Sequence, residues 1–249
     1  MNDNQIKAAV LGSPIAHSLS PVLHKTAFNL LGLDGSYQAI EVASGGLADF
    51  LKNQGSNFDY LSLTMPLKEE VLAIAESSSI TVDPHSLQIQ STNTLIRDGV
   101  KWRATSTDGS GFVKALANAG HDHFDSVLIL GAGGTARAVA GALDSITKNL
   151  HVLGRSSVRQ EALESAVIHA NFEYHRWNLD VEFGNYDLVV NTTPAGAADL
   201  LANSVQPGIS ATLFDVIYKP WPTELAQRWS DCGGNVLNGL ELLLYQGID

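Results

Sequence analysis

The residues Gly131-Ala132-Gly133-Gly134-Thr135-Ala136 fit the pattern G-x-G-x-x-A. They follow an apolar run at 126–130 and lead into a stretch of small and apolar residues at 135–143. In that context, between a strand and a helix, such a turn grips a dinucleotide. Gly131 permits the tight turn, Gly133 lets backbone approach a pyrophosphate, and Ala136 lets the helix pack close to the strand. The helix start then offers unpaired N–H groups and positive partial charge to the phosphates, so Ala132, Gly134 and Thr135 belong to the same cradle. At the end of the next strand, sites that prefer NAD place a carboxylate for the ribose hydroxyls. This chain has Gly154-Arg155-Ser156, then Arg159, and no carboxylate there. Arg155 can lie against an adenine and grip a 2′-phosphate with its fork of donors. Arg159 adds a second charge and Ser156 a hydroxyl. The expected cofactor is therefore NADP (NADPH).

Three further polar segments sit where parallel strands should end, the edge at which α/β sheets bind ligands. They are Gly12-Ser13-Pro14-Ile15-Ala16-His17-Ser18-Leu19-Ser20-Pro21, then Ser62-Leu63-Thr64-Met65-Pro66-Leu67-Lys68, and Ser91-Thr92-Asn93-Thr94-Leu95 with Thr105-Ser106-Thr107-Asp108-Gly109. Asp108 also suits the start of a helix. His17 and His24 are read as structural hydrogen-bonding groups. Cys232 lies in a polar run with no histidine nearby and is not expected to react. No His, Cys, Asp and Glu grouping has metal-ligand spacing along the chain, so no metal is expected.

The elements that must hold these groups alternate. Strands are predicted at 6–11, 37–42 and 60–63, with helices at 21–31, 46–52 and 66–75 between and after them. Pro21 and Pro66 suit first-turn helix positions. Runs at 92–96 and 101–105 flank Asp98-Gly99, a hairpin signal. A helix at 108–119 leads to a second series: strands at 126–130, 150–153, 172–174, 188–191 and 212–216, helices at 135–143 and 157–170, and a last helix at 239–247. The βαβα order predicts an α/β protein of two domains: an N-terminal, mostly parallel α/β substrate domain and a Rossmann-type NADP-binding domain.

The bulk properties agree. The chain of 249 residues has room for two domains. It is 45% hydrophobic and 16% charged, with a net charge of −11. That composition is globular, and that charge disfavours nucleic acid and acidic membrane surfaces. A single cysteine allows no internal disulfide and suits a reducing compartment. The N-terminus has no signal-peptide pattern, and no apolar run approaches the roughly 20 residues of a membrane span. A cytoplasmic protein is expected, a monomer or homodimer, with a small-molecule substrate and neither nucleic acid nor membrane as partner.

The polar segments, taken together and in order, resemble the shikimate dehydrogenase family. Its HSxSP, NVTxPxK, NT, NTDGxGF, GAGGxxRA, NRT, NTTPxG and DxxYxP segments and its final Gln stand here at 17–21, 62–68, 93–94, 106–112, 131–138, 154–156, 191–196, 215–220 and Gln246. The resemblance implies roles. Lys68 and Asp108 match the catalytic pair: Lys68 gives a proton or hydrogen bond to a carbonyl oxygen, while Asp108 orients that ammonium and anchors a neighbouring hydroxyl. Ser18, Ser20 and Tyr218 match residues that hold a carboxylate. Thr64, Asn93 and Gln246 match residues that hold ring hydroxyls, and Ser62 falls in the same pocket. Asn191, Thr192, Thr193 and Gly239 fall on the cofactor side. The implied division is 1–105 plus 239–249 for substrate and 106–238 for NADP. The implied reaction is reduction of 3-dehydroshikimate to shikimate. Ser62 and Ser106 stand where the family usually has Asn, Gly154 replaces the Asn before the arginine, and Ala197 and Leu242 each replace Met. The serines leave room for a quinate or aminoshikimate dehydrogenase-like relative; an idle NADP-binding sensor is the alternative of another class.

Overall fold

The computed structural model describes residues 5–248; residues 1–4, part of the stretch read as lacking a signal peptide, and residue 249 lie outside them. The chain forms two compact units, 1–107 and 108–249.

In the first unit the elements are β1 (Ile6–Gly12), α1 (Ser20–Leu31), β2 (Gly35–Glu41), α2 (Leu47–Gln54), β3 (Tyr60–Leu63), α3 (Leu67–Ile74), β4 (Ile80–Val82), α4 (Pro84–Gln88), β5 (Thr94–Asp98) and β6 (Lys101–Thr105). The sheet order is β2-β1-β3-β5-β6-β4. β1 pairs in parallel with β2 and β3, and β4 with β6, while β5 runs antiparallel to β3 and β6. The mostly parallel sheet is thus as expected, and so is the hairpin, with Asp98 paired to Lys101 across Gly99 and Val100. Leu11, Leu47, Leu61, Leu67, Val71 and Leu95 are among the residues of its main core. β4 and α4 were not expected. Asp83 caps α4, its carboxylate accepting from the Ser86 N–H at 2.9 Å, and Pro84 follows at the first helical position.

The second unit continues with α5 (Asp108–Asn118), β7 (Phe124–Leu130), α6 (Gly134–Leu143), β8 (Thr147–Gly154), α7 (Gln160–Ala166), β9 (Asn171–Arg176), β10 (Leu188–Asn191), β11 (Thr212–Asp215), α8 (Glu224–Asp231), β12 (Val236–Leu237) and α9 (Gly239–Ile248). Its sheet is β12-β11-β10-β7-β8-β9, parallel throughout. Counted from β7, that is the 3-2-1-4-5-6 order of the dinucleotide-binding fold. Every residue of β10 and β11 is buried, as strands covered on both faces must be. One face packs Val127, Ile129, Val152 and Val190 with helix residues such as Phe112 and Ala136. The other packs Leu128, Leu130, Val189 and Leu213 with Trp229.

The helix expected over 157–170 is shorter. A single 3-10 turn, Ser157–Arg159, opens it, and α7 ends at Ala166 with Val167 extended. The Asp144 carboxylate takes the N–H groups of His169 and Ala170 at 2.8 and 2.9 Å, drawing the chain towards β9 instead of another helical turn. α8 and β12 are additions; the Thr223 hydroxyl caps α8 by accepting from the Ala226 N–H.

Helix α5 packs on α6 and on α9. A side chain at Gly111 would meet the backbone N of Gln246 at 2.5 Å and its Cα at 2.7 Å. The missing Cβ therefore lets α9 run backbone to backbone against α5. Because the obstacle is backbone, Gly111→Ala is expected to destabilise the protein by about 1–3 kcal/mol, the scale of overpacking. A lower urea midpoint with an unchanged m-value would show it; an unshifted midpoint would mean that α9 moves aside freely.

Candidate active site

In the first unit the loop between β1 and α1 is tied down by Glu41 at the end of β2. Its carboxylate accepts from the Ser13 hydroxyl at 2.6 Å and from the Ile15 N–H at 3.2 Å. The Ser18 N–H then donates to the Ile15 carbonyl, and the Ser18 hydroxyl accepts from the Ser20 N–H at 3.3 Å. Ser20 is buried at the start of α1 and Ser18 is half-buried. Across the neighbouring strand, the Thr64 N–H donates to the Leu11 carbonyl, and Gly12, having no Cβ, lets the Thr64 methyl lie against the end of β1. Lys68 stands in the first turn of α3, half-buried, and its carbonyl accepts from the Thr92 N–H at 3.0 Å. Thr64, Lys68 and the 91–93 segment thus belong to one strand-end region.

Asn93 is buried, and its side-chain oxygen accepts from the Thr107 N–H at 2.9 Å and from the Thr94 hydroxyl at 2.9 Å. Its amide donates to the Thr107 hydroxyl at 3.1 Å. It thereby fixes the residue that immediately precedes Asp108 in the chain. Ser62 has found a partner: the Tyr37 hydroxyl donates to it at 2.6 Å. Tyr37 stacks on His24 with centroids 4.2 Å apart, and burial pushes its phenol above its ordinary range and lowers the pKa of the His24 imidazole. His24 is thus packed by ring stacking. Ser106, the other position where Asn is usual, has a buried hydroxyl with no protein partner among the described residues.

In the second unit, Gly131 has φ +109, and a Cβ there would meet the Thr192 hydroxyl at 2.6 Å. Only glycine combines that backbone with that approach. The Thr192 N–H and hydroxyl both donate to the Leu130 carbonyl, at 2.9 and 2.8 Å. Gly133 is the extended N-cap of α6, and one Arg159 guanidinium nitrogen lies 3.5 Å from where its Cβ would be. Positive charge therefore sits beside the open helix start, as an NADP site needs. Arg155 and Ser156 are exposed at the end of β8, and the Ser156 hydroxyl accepts from the Val158 N–H. Gly154 has a clear reason. A side chain there would overlap the Tyr174 hydroxyl, which donates to the Ser156 carbonyl at 2.6 Å.

Asn191 and Asp215, at the ends of β10 and β11, are both buried. The Asn191 amide donates to Asp215 at 3.1 Å, and its oxygen accepts from the Thr193 N–H and hydroxyl at 3.2 and 2.7 Å. Asp215 also accepts from the Ile217 N–H at 3.1 Å and the Thr223 hydroxyl at 2.7 Å. It thus anchors the segment that carries the half-buried Tyr218. Gly239 opens α9 against the Val216 carbonyl, where a Cβ has no room. Gln246 lies near the other end of α9, its amide donating to the Leu243 carbonyl at 2.9 Å, and Asp108 is buried as the first residue of α5. Sequence reasoning passed over Glu41, Tyr37 and Tyr174 as positioning groups. It also passed over His151, Glu173 and His175, which strand register brings together although they are far apart along the chain.

A doubly wound parallel sheet with a glycine-rich turn after its first strand, joined to a second α/β unit, defines a Rossmann-type dinucleotide-binding protein. The family model described as the shikimate dehydrogenase substrate binding domain matches residues 10–95. Shikimate dehydrogenase (NADP(+)) of Staphylococcus aureus strain MRSA252 is 33% identical over 98% of this chain and 90% of its own. The crystal structure of Mycobacterium tuberculosis shikimate dehydrogenase superposes with a TM-score of 0.83 at 34% identity, covering 97% of this chain and 90% of that one. The Thermus thermophilus shikimate 5-dehydrogenase, solved in complex with NADP(H) and shikimate, gives 0.83 at 33% identity with the same coverage. The chain belongs to the shikimate dehydrogenase family. Among the described residues no helix is long and apolar enough to cross a membrane.

Burial holds the Asp215 carboxyl above its ordinary value of 3.8, against the pull of its hydrogen bonds from Thr223, Ile217 and Asn191. A carboxyl raised on folding contributes stability that is fully present below the unfolded value and is lost as pH rises through the folded one. Asp215→Asn removes that titration. Its stability relative to the natural protein is therefore expected to improve as pH rises from about 4 towards neutrality. Urea unfolding of both proteins across that range checks it, and a pH-independent difference would assign Asp215 no raised pKa.

Proposed function

We propose that this protein catalyses the NADP-dependent, reversible reduction of 3-dehydroshikimate to shikimate, a step of aromatic amino-acid and chorismate biosynthesis, as a soluble cytoplasmic enzyme. The observation that carries the reading is similarity along nearly the whole chain to relatives named shikimate dehydrogenase (NADP(+)). Retention of Lys68 and Asp108 favours an active enzyme over an idle NADP sensor. In this reading residues 1–105 plus 239–249 serve the substrate and 106–238 serve NADP. Gln246, on the C-terminal helix that packs on α5, is assigned to the substrate by its match to the family's final Gln. A monomer or homodimer suffices.

Several observations support the roles. The turn at Gly131–Gly133 with Arg159 beside it suits a phosphorylated dinucleotide, and Gly134, Thr135 and Ala136 open the helix that faces it. Arg155 and Ser156 take the 2′-phosphate. Asn191, Thr192, Thr193 and Gly239 line the nicotinamide side. When bound, the dihydronicotinamide supplies the hydride. Lys68 holds a proton at the ketone oxygen and releases it to that oxygen as negative charge develops. Asp108 accepts from the hydroxyl next to the reacting carbon. Ser18, Ser20 and Tyr218 hold the carboxylate, and Thr64, Asn93 and Gln246 the ring hydroxyls. Ser62 meets the substrate with a hydroxyl already joined to Tyr37.

Nicotinamide absorbance with a panel of cyclohexene and cyclohexane acids tests the assignment. Shikimate should be oxidised with a higher kcat/KM than quinate or an aminoshikimate, and preference for either of those would hand the site to that substrate. Lys68→Ala should lower kcat by about 10²–10⁴, the scale of general acid–base help; near-normal turnover removes Lys68 from the mechanism. NADP should be preferred over NAD by at least about tenfold, since a charged hydrogen bond contributes roughly 1.5–3 kcal/mol. Arg155→Ala should erode that preference through the cofactor KM. Equal kcat/KM for the two cofactors in the natural protein would sink this part of the reading.

A further inference from the structure

Strands β8 and β9 run in parallel register, with His151 opposite Glu173 and Leu153 opposite His175. His151, Glu173 and His175 alternate onto one sheet face, the side of Leu153, away from Phe172 and Tyr174. Three ligand atoms converge there. His151 Nδ1 and His175 Nε2 are 3.2 Å apart, and Glu173 Oε2 lies 3.6 Å from the first and 3.5 Å from the second. The ring planes are nearly parallel, 11° apart, with centroids at 5.5 Å, and His151 is braced edge-on by Tyr186.

Hydrogen bonding accounts for only one side of this triangle. Two imidazoles can share one N–H···N contact, but the carboxylate oxygen stands beyond ordinary hydrogen-bond reach of both nitrogens. A tetrahedral zinc ion with ligand distances of about 2.0–2.1 Å requires ligand atoms separated by about 3.3–3.4 Å. The three observed separations scatter around that value. Exposure falls from Glu173 at 62% through His175 at 43% to His151 at 20%. One ligand is thus anchored in the sheet, and the outer side is open to a fourth ligand from water.

The geometry points to a divalent transition-metal site, His151–Glu173–His175, that takes Zn²⁺ with water completing a tetrahedron. Two imidazoles and one carboxylate with water in the fourth position are a donor set that zinc takes. The ion would join edge strand β9 to β8. Through β9 it would steady Tyr174, whose hydroxyl holds the Ser156 carbonyl on the other face of the sheet. The site lies within the second unit and does not depend on the substrate assigned to the first.

The test uses the full-length, tag-free chain and two probes. Isothermal titration with Zn²⁺ should show one ion per chain, and Co²⁺ should give the intense visible absorption of a tetrahedral complex. Glu173→Gln is an exposed change and His175→Gln a half-buried one, both checked for folding by circular dichroism. Each should weaken binding by more than the roughly 10–100-fold lost when a mere supporting partner of a metal site is removed. His123→Gln, a control at an exposed histidine elsewhere, should bind as the natural protein does. Zn²⁺ should also raise the thermal midpoint of the natural protein and not of His175→Gln, since a ligand that binds only the folded state stabilises it. No stoichiometric binding by the natural protein, or binding that survives in both His175→Gln and Glu173→Gln, would overturn the proposal.

Discussion

Where a parallel strand ends, its hydrogen-bond ladder ends too, and the next amides need acceptors that no strand supplies. Five polar side chains at the strand ends answer this constraint. Asn191, Asp215 and Ser156 meet it in the same way, each side chain accepting from the N–H two residues on, the local pattern for which short polar side chains are suited. Glu41 and Asn93 meet it across longer spans, taking the N–H groups of Ile15 and Thr107. The strand ends are therefore held by side chains, and the loops that follow inherit their direction from them. Asn93, Ser156 and Asn191, each proposed as a ligand contact, thus also hold backbone beside them.

That division explains what could be read in the sequence. The alternation of apolar runs and amphipathic stretches gave both sheets, because parallel strands buried on two faces leave long hydrophobic signatures. The glycine-rich turn was legible because its geometry is local. The end of α7 was not, since it depends on Asp144 reaching amides far along the chain. β4, α4 and β12 were missed for lack of length, and α8, as long as α2 and α3, was passed over. Yet Asp83-Pro84 ahead of α4 and Thr223 ahead of α8 carried the capping signals that a closer reading would use. The grouping of His151 with His175 was invisible for another reason: only the register of β8 on β9 makes them neighbours.

Two departures from the family pattern acquire partners in the structure, and both partners are tyrosines. Ser62 is shorter than the usual Asn, and Tyr37 reaches it. Gly154 has lost its side chain altogether, and the Tyr174 hydroxyl stands in the space. In each case a shortened residue is matched by a long, rigid one from a strand of the same sheet, which supplies a hydroxyl without the entropy of a flexible chain. Ser106 has no such companion, and its hydroxyl is buried without a protein partner among the described residues.

The pairing of Gly154 with Tyr174 makes one loop the business of two strands. With a side chain at 154 the tyrosine hydroxyl would have to leave its place, for its ring carbon already stands 2.7 Å from where a Cβ would be. A breeder of new cofactor preferences who transplants the common Asn-Arg pair into this loop would therefore unseat the tyrosine from the Ser156 carbonyl. Keeping the loop as it is would take an edit in β9 as well as in β8.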